Sequence, residues 1–349
     1  MEIIDRDSLD TFYSLQKETA LFGKWIHHAH IAPLLEKLSS TLQVFCIDSS
    51  ENNVPIHTVR FGAGSKKILI WTQMHGNEST GTKSLFDFFN CIAYSSETIF
   101  KTMLKECTIL CIPMLNPDGA LSYTRVNQNG IDLNRDAVAT KAKESKLLRS
   151  VLEEFQPSFC FNMHDQRTIF GVEGTENPAS ISFLAPSEEE TRQLTKGRIE
   201  TMNVIVAMNS LLQQIIPNYI GRYTDEFYPT ATGDNFQKMG YNTILIEAGH
   251  YPNDYDREEV RKFNFFALVQ GIYHIAITED FTEYNPYFSI PNNQKNFFDV
   301  IEVNEHDNIS KAYLYIDQII NGELKSTLQL EKEGDLSQYR AHAEILSKK

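Results

Sequence analysis

The sequence predicts an α/β domain, with a largely parallel or mixed sheet covered by helices on both faces, followed by a small β-rich extension. Three observations carry this. Short, continuously apolar runs at residues 67–72 and 107–115 alternate with longer stretches of helical period. Continuous apolarity marks strands buried on both faces, the habit of parallel sheets lying between helices. After residue 284 the pattern changes to short alternating runs, the period of strands with one wet face.

In chain order, residues 7–40 carry apolar positions three and four apart, which predicts helix with a break near Gly23. Residues 42–47 and 56–61 alternate as strands, with the polar segment 49–53 as their hairpin turn. Strand 67–72 is followed by a helix over 79–94. Strand 107–115 runs into Asn116-Pro117-Asp118-Gly119, a strong turn signal. Residues 120–139 are polar and irregular. A charged helix at 141–155 leads past Pro157 into strand 158–163. A long helix is predicted over 187–216, opening at Ser187 with acids in its first turn, where the helix dipole favours them. Strand 243–247 and a closing helix at 257–278 complete the domain. Alternating runs at 298–303, 311–316 and 326–330 form the extension. The predicted division is therefore 1–284, opening with the helical segment 7–40, and 285–349.

Composition excludes several function classes. The chain of 349 residues holds 46 acidic against 32 basic residues, a net charge of −14, with no basic cluster, so no nucleic-acid partner is expected. No run approaches the roughly 20 apolar residues of a membrane span, so no membrane partner is expected. The five cysteines are odd in number and scattered, which reads as reduced core thiols. The N-terminus is charged where a secretory signal needs an apolar core, and the expected location is cytoplasmic. His27, His28 and His30 point in different directions on a helix and read as packing or surface residues. Oligomeric state leaves no mark in the sequence.

The chemistry gathers at strand ends. One strand stops at Thr72 and is followed by His75 and Glu78; another ends in His164-Asp165; a third ends in Glu247. In open α/β sheets ligands bind beyond the carboxyl ends of the strands, so these residues can share one cleft despite their separation in sequence. Each alone is most simply a satisfied polar group. Together they are the kind of N and O donors that hold a catalytic zinc with one position open. The loop from Arg125 to Asp136 adds two arginines and Asn134, able to bind a carboxylate and stabilise an oxyanion.

His75-x-x-Glu78, Asn116-Pro117-Asp118-Gly119, Asp132-x-Asn134-Arg135, His164 and Glu247, in this order, resemble the carboxypeptidase A-like zinc metallocarboxypeptidase family over residues 40–280. The resemblance implies a central mixed, mainly parallel sheet flanked by helices and one Zn2+ per chain. It implies His75, Glu78 and His164 as metal ligands, with Asp132 orienting His75. It further implies Arg125 polarising the scissile carbonyl, Asn134 and Arg135 holding the substrate carboxylate, and Glu247 as general base. The family's closing tyrosine has two candidates, Tyr223 and Tyr228. Asp136 stands where digestive members usually carry Asn, which places an acid beside Arg135. Asp234 falls in the stretch that shapes the side-chain pocket, where it would favour a basic or diamino-acid terminus, or else it caps the following helix. The expected partner is a peptide or a small acyl-amino-acid, and the expected reaction is removal of a C-terminal residue. A deacylase of the aspartoacylase and succinylglutamate desuccinylase group and a non-catalytic peptide binder are the competing readings.

Overall fold

The computed structural model describes residues 1–304 and 309–346. Helices α1 (Arg6–Gln16) and α2 (His28–Leu38) precede the hairpin of β1 (Gln43–Ser49) and β2 (Pro55–Gly62). Then come β3 (Lys66–Thr72), α3 (Thr80–Tyr94), α4 (Thr98–Glu106), β4 (Cys107–Ile112), α5 (Pro117–Ser122) and α6 (Lys143–Phe155). The next run is β5 (Phe159–Asp165), β6 (Phe170–Val172), β7 (Ile181–Leu184), α7 (Lys196–Leu212) and β8 (Ile220–Arg222). Helix α8 (Thr232–Lys238), β9 (Asn242–Ala248) and α9 (Glu258–Ile277) close the main body. Strands β10 (Asn293–Lys295), β11 (Phe297–Val303), β12 (Ser310–Ile320), β13 (Glu323–Gly334) and β14 (Arg340–Leu346) follow.

Eight strands form the central sheet in the order β1-β2-β4-β3-β5-β9-β7-β8. The pairings β4/β3, β3/β5, β5/β9 and β7/β8 are parallel, and the rest are antiparallel. The expected mixed, mainly parallel α/β sheet is therefore present. Alternation along β3 explains why its sequence is apolar throughout. Ile68 and Ile70 enter the core under α3, α7 and α9, whereas Leu69 and Trp71 enter the opposite core with Leu148, Leu152 and Phe236. The last four strands make a separate sheet in the order β13-β12-β11-β14, with its own small core around Phe298, Ile301 and Leu314.

The structure departs from expectation in several places. Helix 187–216 begins only at Lys196, capped by Thr195. From the first turn of the helix the buried Arg198 collects the carbonyls of Arg192 and Gln193 and the Asp225 carboxylate, and holds the preceding segment as a loop. Asn116-Pro117-Asp118-Gly119 starts α5 instead of making a turn. Asn116 accepts the Gly119 N–H and Pro117 fills the first position, where its missing N–H costs nothing. Strand 107–115 stops at Ile112, and α4, β7 and β8 were too short to declare a period. Of the five cysteines, all free, four are buried and Cys46 is exposed.

Candidate metal centre and cleft

Three parallel strands, β3, β5 and β9, deliver their carboxyl ends side by side, with His164 in register with Glu247. After β3 the chain turns at Gln73, which takes a left-handed φ of 51°. That conformation is held by its buried side chain, which donates to the Ile26 and Gly76 carbonyls and accepts from Thr82. At Gly76 the loop touches α5 so closely that a Cβ would lie 1.9 Å from the Gly119 carbonyl carbon. Asn116 secures the same contact by donating to the Met74 carbonyl. The loop thus sets His75 and Glu78 against His164.

His75 Nδ1 lies 2.8 Å from Glu78 Oε1, His164 Nδ1 lies 2.8 Å from Glu78 Oε2, and the two Nδ1 atoms are 3.1 Å apart. All three residues are buried, and they are the one set of three or more metal-type side chains brought together among the described residues. Donors about 2.0–2.2 Å from a shared zinc must lie within roughly 4.4 Å of one another, and these three separations are well inside that. The far ring nitrogen of His75, Nε2, meets Asp132 Oδ1 at 3.0 Å. Donation to that carboxylate leaves the Nδ1 lone pair facing Glu78 and His164, the tautomer a metal ligand needs. Two buried imidazoles and a carboxylate converging on one point, with the outer nitrogen of His75 tied to an acid, fit a zinc ion.

Electrostatics follow the same arrangement. Burial opposes charge on His75, but Glu78 and Asp132 outweigh it and raise its pKa. Burial also acts on Glu78, where His75 and His164 prevail and pull the carboxyl down. Burial wins at His164 and keeps the ring neutral. Asp132 is held below the usual carboxylate range: burial is overcome by His75 and Arg125.

The cluster sits in a cleft of about 620 Å³ that also contains Arg125, Asn134, Arg135, Tyr228, Asp234 and Glu247. Arg125 donates through Nε to Asp132 Oδ2 at 2.9 Å and reaches Glu78 Oε1 at 3.4 Å. Asn134 is fixed at both ends: its N–H meets Asp132 and its Oδ1 accepts the Thr232 N–H. Arg135 is exposed, lies over the Tyr228 ring and donates to the Asn134 carbonyl. Tyr228 is therefore the tyrosine beside Arg135, while Tyr223 is largely enclosed near Glu247 and Glu78. Burial, then Glu78 and Asp165, raise Glu247 well above the ordinary carboxylate range.

Asp234 lies in the first turn of α8, where Ala231 is the cap, and its Oδ1 accepts the Tyr228 N–H at 2.9 Å. Burial raises its carboxyl to about 6. Asp136 does not place its acid beside Arg135: its carboxylate accepts the Lys141 and Ala142 N–H groups at the entry to α6. Sequence reading passed over Arg257, whose guanidinium bridges the carbonyls of Ala248 and Gln166 and so ties together the chain after β9 and after β5. It stands at a helix start, where an arginine carries no periodic signal. The acid beside His164, Asp165, is half-buried, accepts from the Thr80 N–H and hydroxyl, and is pushed up by desolvation to about 6.

Comparison with known proteins agrees with this geometry. Carboxypeptidase 2 of Trichophyton rubrum is 28% identical over 103 residues, 29% of this chain and 19% of that protein. Carboxypeptidase SOL1 of Arabidopsis thaliana is 25% identical over 137 residues, 35% of this chain and 28% of that one. The chain thus matches 19–28% of the length of these curated relatives. Among solved structures, the metallo-carboxypeptidase of Burkholderia cenocepacia superposes with a TM-score of 0.57 at 16% identity, covering 71% of this chain and 69% of its own. Carboxypeptidase A of Helicoverpa armigera gives 0.58 at 14%, covering 78% and 80%. These two establish a shared fold. The family model described as zinc carboxypeptidase matches residues 27–262, which include every residue of the metal cluster. The chain belongs to the zinc carboxypeptidase family.

Proposed function

We propose that this protein hydrolyses the C-terminal peptide or amide bond of a peptide, with Glu247 as general base and the terminal carboxylate held by Asn134 and Arg135. The observation that carries the proposal is the presence of Glu247, Arg125 and the Asn134–Arg135 pair in one cleft with the His75–Glu78–His164 cluster.

Zinc bound by His75, Glu78 and His164 supplies Lewis acidity and makes water acidic enough to be deprotonated near neutral pH. Glu247 accepts a proton from the attacking water as the new C–O bond forms. It returns that proton to the amine nitrogen as the C–N bond breaks. Arg125 keeps guanidinium donors free of Asp132 and offers them to the negative charge developing on the carbonyl oxygen. Asn134 and Arg135 fix the carboxylate, and with it the distance from chain end to scissile bond. Tyr228, stacked by Arg135, covers the terminal residue, and Asp234 faces its side chain. The reacting machinery lies within residues 1–284, and 285–349 form the extension.

The test incubates the zinc-loaded protein with peptides that differ in their last residue and, in parallel, with N-acyl amino acids. Stepwise loss of single C-terminal residues supports the proposal. Deacylation without any peptide cleavage overturns it in favour of the deacylase activity. Unaltered peptides that still bind in the cleft overturn it in favour of a binding role.

A further inference from the structure

The C-terminal sheet does more than cover an edge. Leu314, Tyr315, Ile316 and Asp317 of β12 line the cleft that holds the metal cluster. These residues lie beyond the segment matched by the family model, which ends at residue 262. Side-chain contacts tie them to the main body. Asp317 pairs with Lys24, from the segment between α1 and α2, and lies 3.5 Å from the Tyr123 hydroxyl. The buried Asp299 accepts from Tyr255, Thr168 and the Tyr315 N–H at 3.0, 3.0 and 2.7 Å. The rings of Tyr255 and Tyr315 meet edge to face with centroids 5.3 Å apart.

We infer that this added wall limits the enzyme to short substrates, of no more than about three residues. The inference rests on the proposal that Asn134 and Arg135 hold the terminal carboxylate. With the chain end there and the scissile bond at the metal cluster, each further residue of an extended substrate needs roughly 3.3–3.6 Å of cleft. Tyr255, Tyr315, Tyr123 and the Lys24–Asp317 bridge are among the residues that line the rest of the cleft. A cleft of about 620 Å³ has the volume of sites that enclose drug-sized ligands, the size of a di- or tripeptide. The bridge joins the N-terminal segment to β12 and closes the route a longer peptide would take. Both bridge side chains are mostly buried, at 18% and 17% exposure, so the contact is not a solvated surface pair.

The experiment uses N-blocked peptides of two, three, four and six residues sharing one C-terminal pair. Turnover is measured on the zinc-loaded full chain, and affinity on its Glu247→Gln variant. The expected result is a fall of at least tenfold in kcat/KM, with a matching rise in Kd, between three and six residues. In Lys24→Ala/Asp317→Ala, which removes both charges together, the six-to-two ratio should recover by at least fivefold. Equal values for two and six residues in the unmodified chain overturn the inference. If no peptide is cleaved, the peptidase reading fails on its own, and the Kd series still decides whether the wall selects by length. Thermal melting of the double variant is the check on its fold, and Tyr315→Ala is the alternative opening of the wall if it melts early.

Discussion

Asp132 meets His75 through one carboxylate oxygen and Arg125 through the other, so a single side chain orients a metal ligand and positions a cation. Replacing it by asparagine keeps the shape and removes the charge that makes His75 a good donor. Asp132→Asn is expected to weaken zinc binding about 10–100-fold, measured by competition with a chelator. In the proposed mechanism Glu247 acts differently, as the base that takes the proton of water. Glu247→Gln should lower kcat by about 10²–10⁴-fold while zinc content stays at one per chain. Asp234 gives a pH dependence of definite sign. Its carboxyl titrates near 6, so it is neutral below that pH and negative above it. The preference for lysine or arginine over leucine at the substrate terminus should therefore grow as pH rises from 5 to 7, and Asp234→Asn should abolish that growth. The metal cluster was legible because two chemistries had to coincide, a histidine and an acid at fixed spacing before a helix. Asp136 was misplaced because sequence adjacency to Arg135 says nothing of direction: its side chain turns the other way, to backbone N–H groups. Arg257 was missed because it acts through two carbonyls far apart in sequence.

At the scale of elements, the cleft depends on loops being held against helices as much as on the strands. The β3–α3 loop can approach α5 only because position 76 has no Cβ. Gly76→Ala should cost at least the roughly 1–3 kcal/mol of an overpacked site and weaken zinc retention, read by denaturant unfolding and by metal analysis. The buried strands and α3, α6 and α9 were legible because their apolar patterns are long, and burial on both faces of the sheet leaves no polar interruption. Helix α7 was overextended because acids at residues 188–190 imitate a helix start. The cation that decides the matter, Arg198, lies within the helix and folds the preceding segment back as a loop. Strands β7 and β8 have four and three residues, no more than two periods of alternation, too few for a pattern to mark them.

In the whole molecule, α9 ties the layers together. Arg261 is fully buried and grips both oxygens of the buried Asp87 on α3, at 2.7 and 2.6 Å, as well as the Leu21 and Glu18 carbonyls before α2. Arg261→Met leaves Asp87 charged and unpaired, and is expected to cost about 3–5 kcal/mol of stability by chemical denaturation. Among the described residues no helix is long and apolar enough to cross a membrane. The C-terminal sheet was foreseen as β-rich, but its place along the cleft was not, since a strand carries no record of what its exposed edge or face will meet. In the proposed function the zinc cluster and Glu247 act on a peptide bond one residue from a carboxylate held at Asn134 and Arg135. Mass spectrometry of a tripeptide with a free C-terminus, and of the same peptide amidated, tests it most directly. The expected result is release of the terminal residue from the free acid and at least 100-fold slower cleavage of the amide. Equal cleavage of both, or cleavage of neither by the zinc-loaded protein, would contradict it.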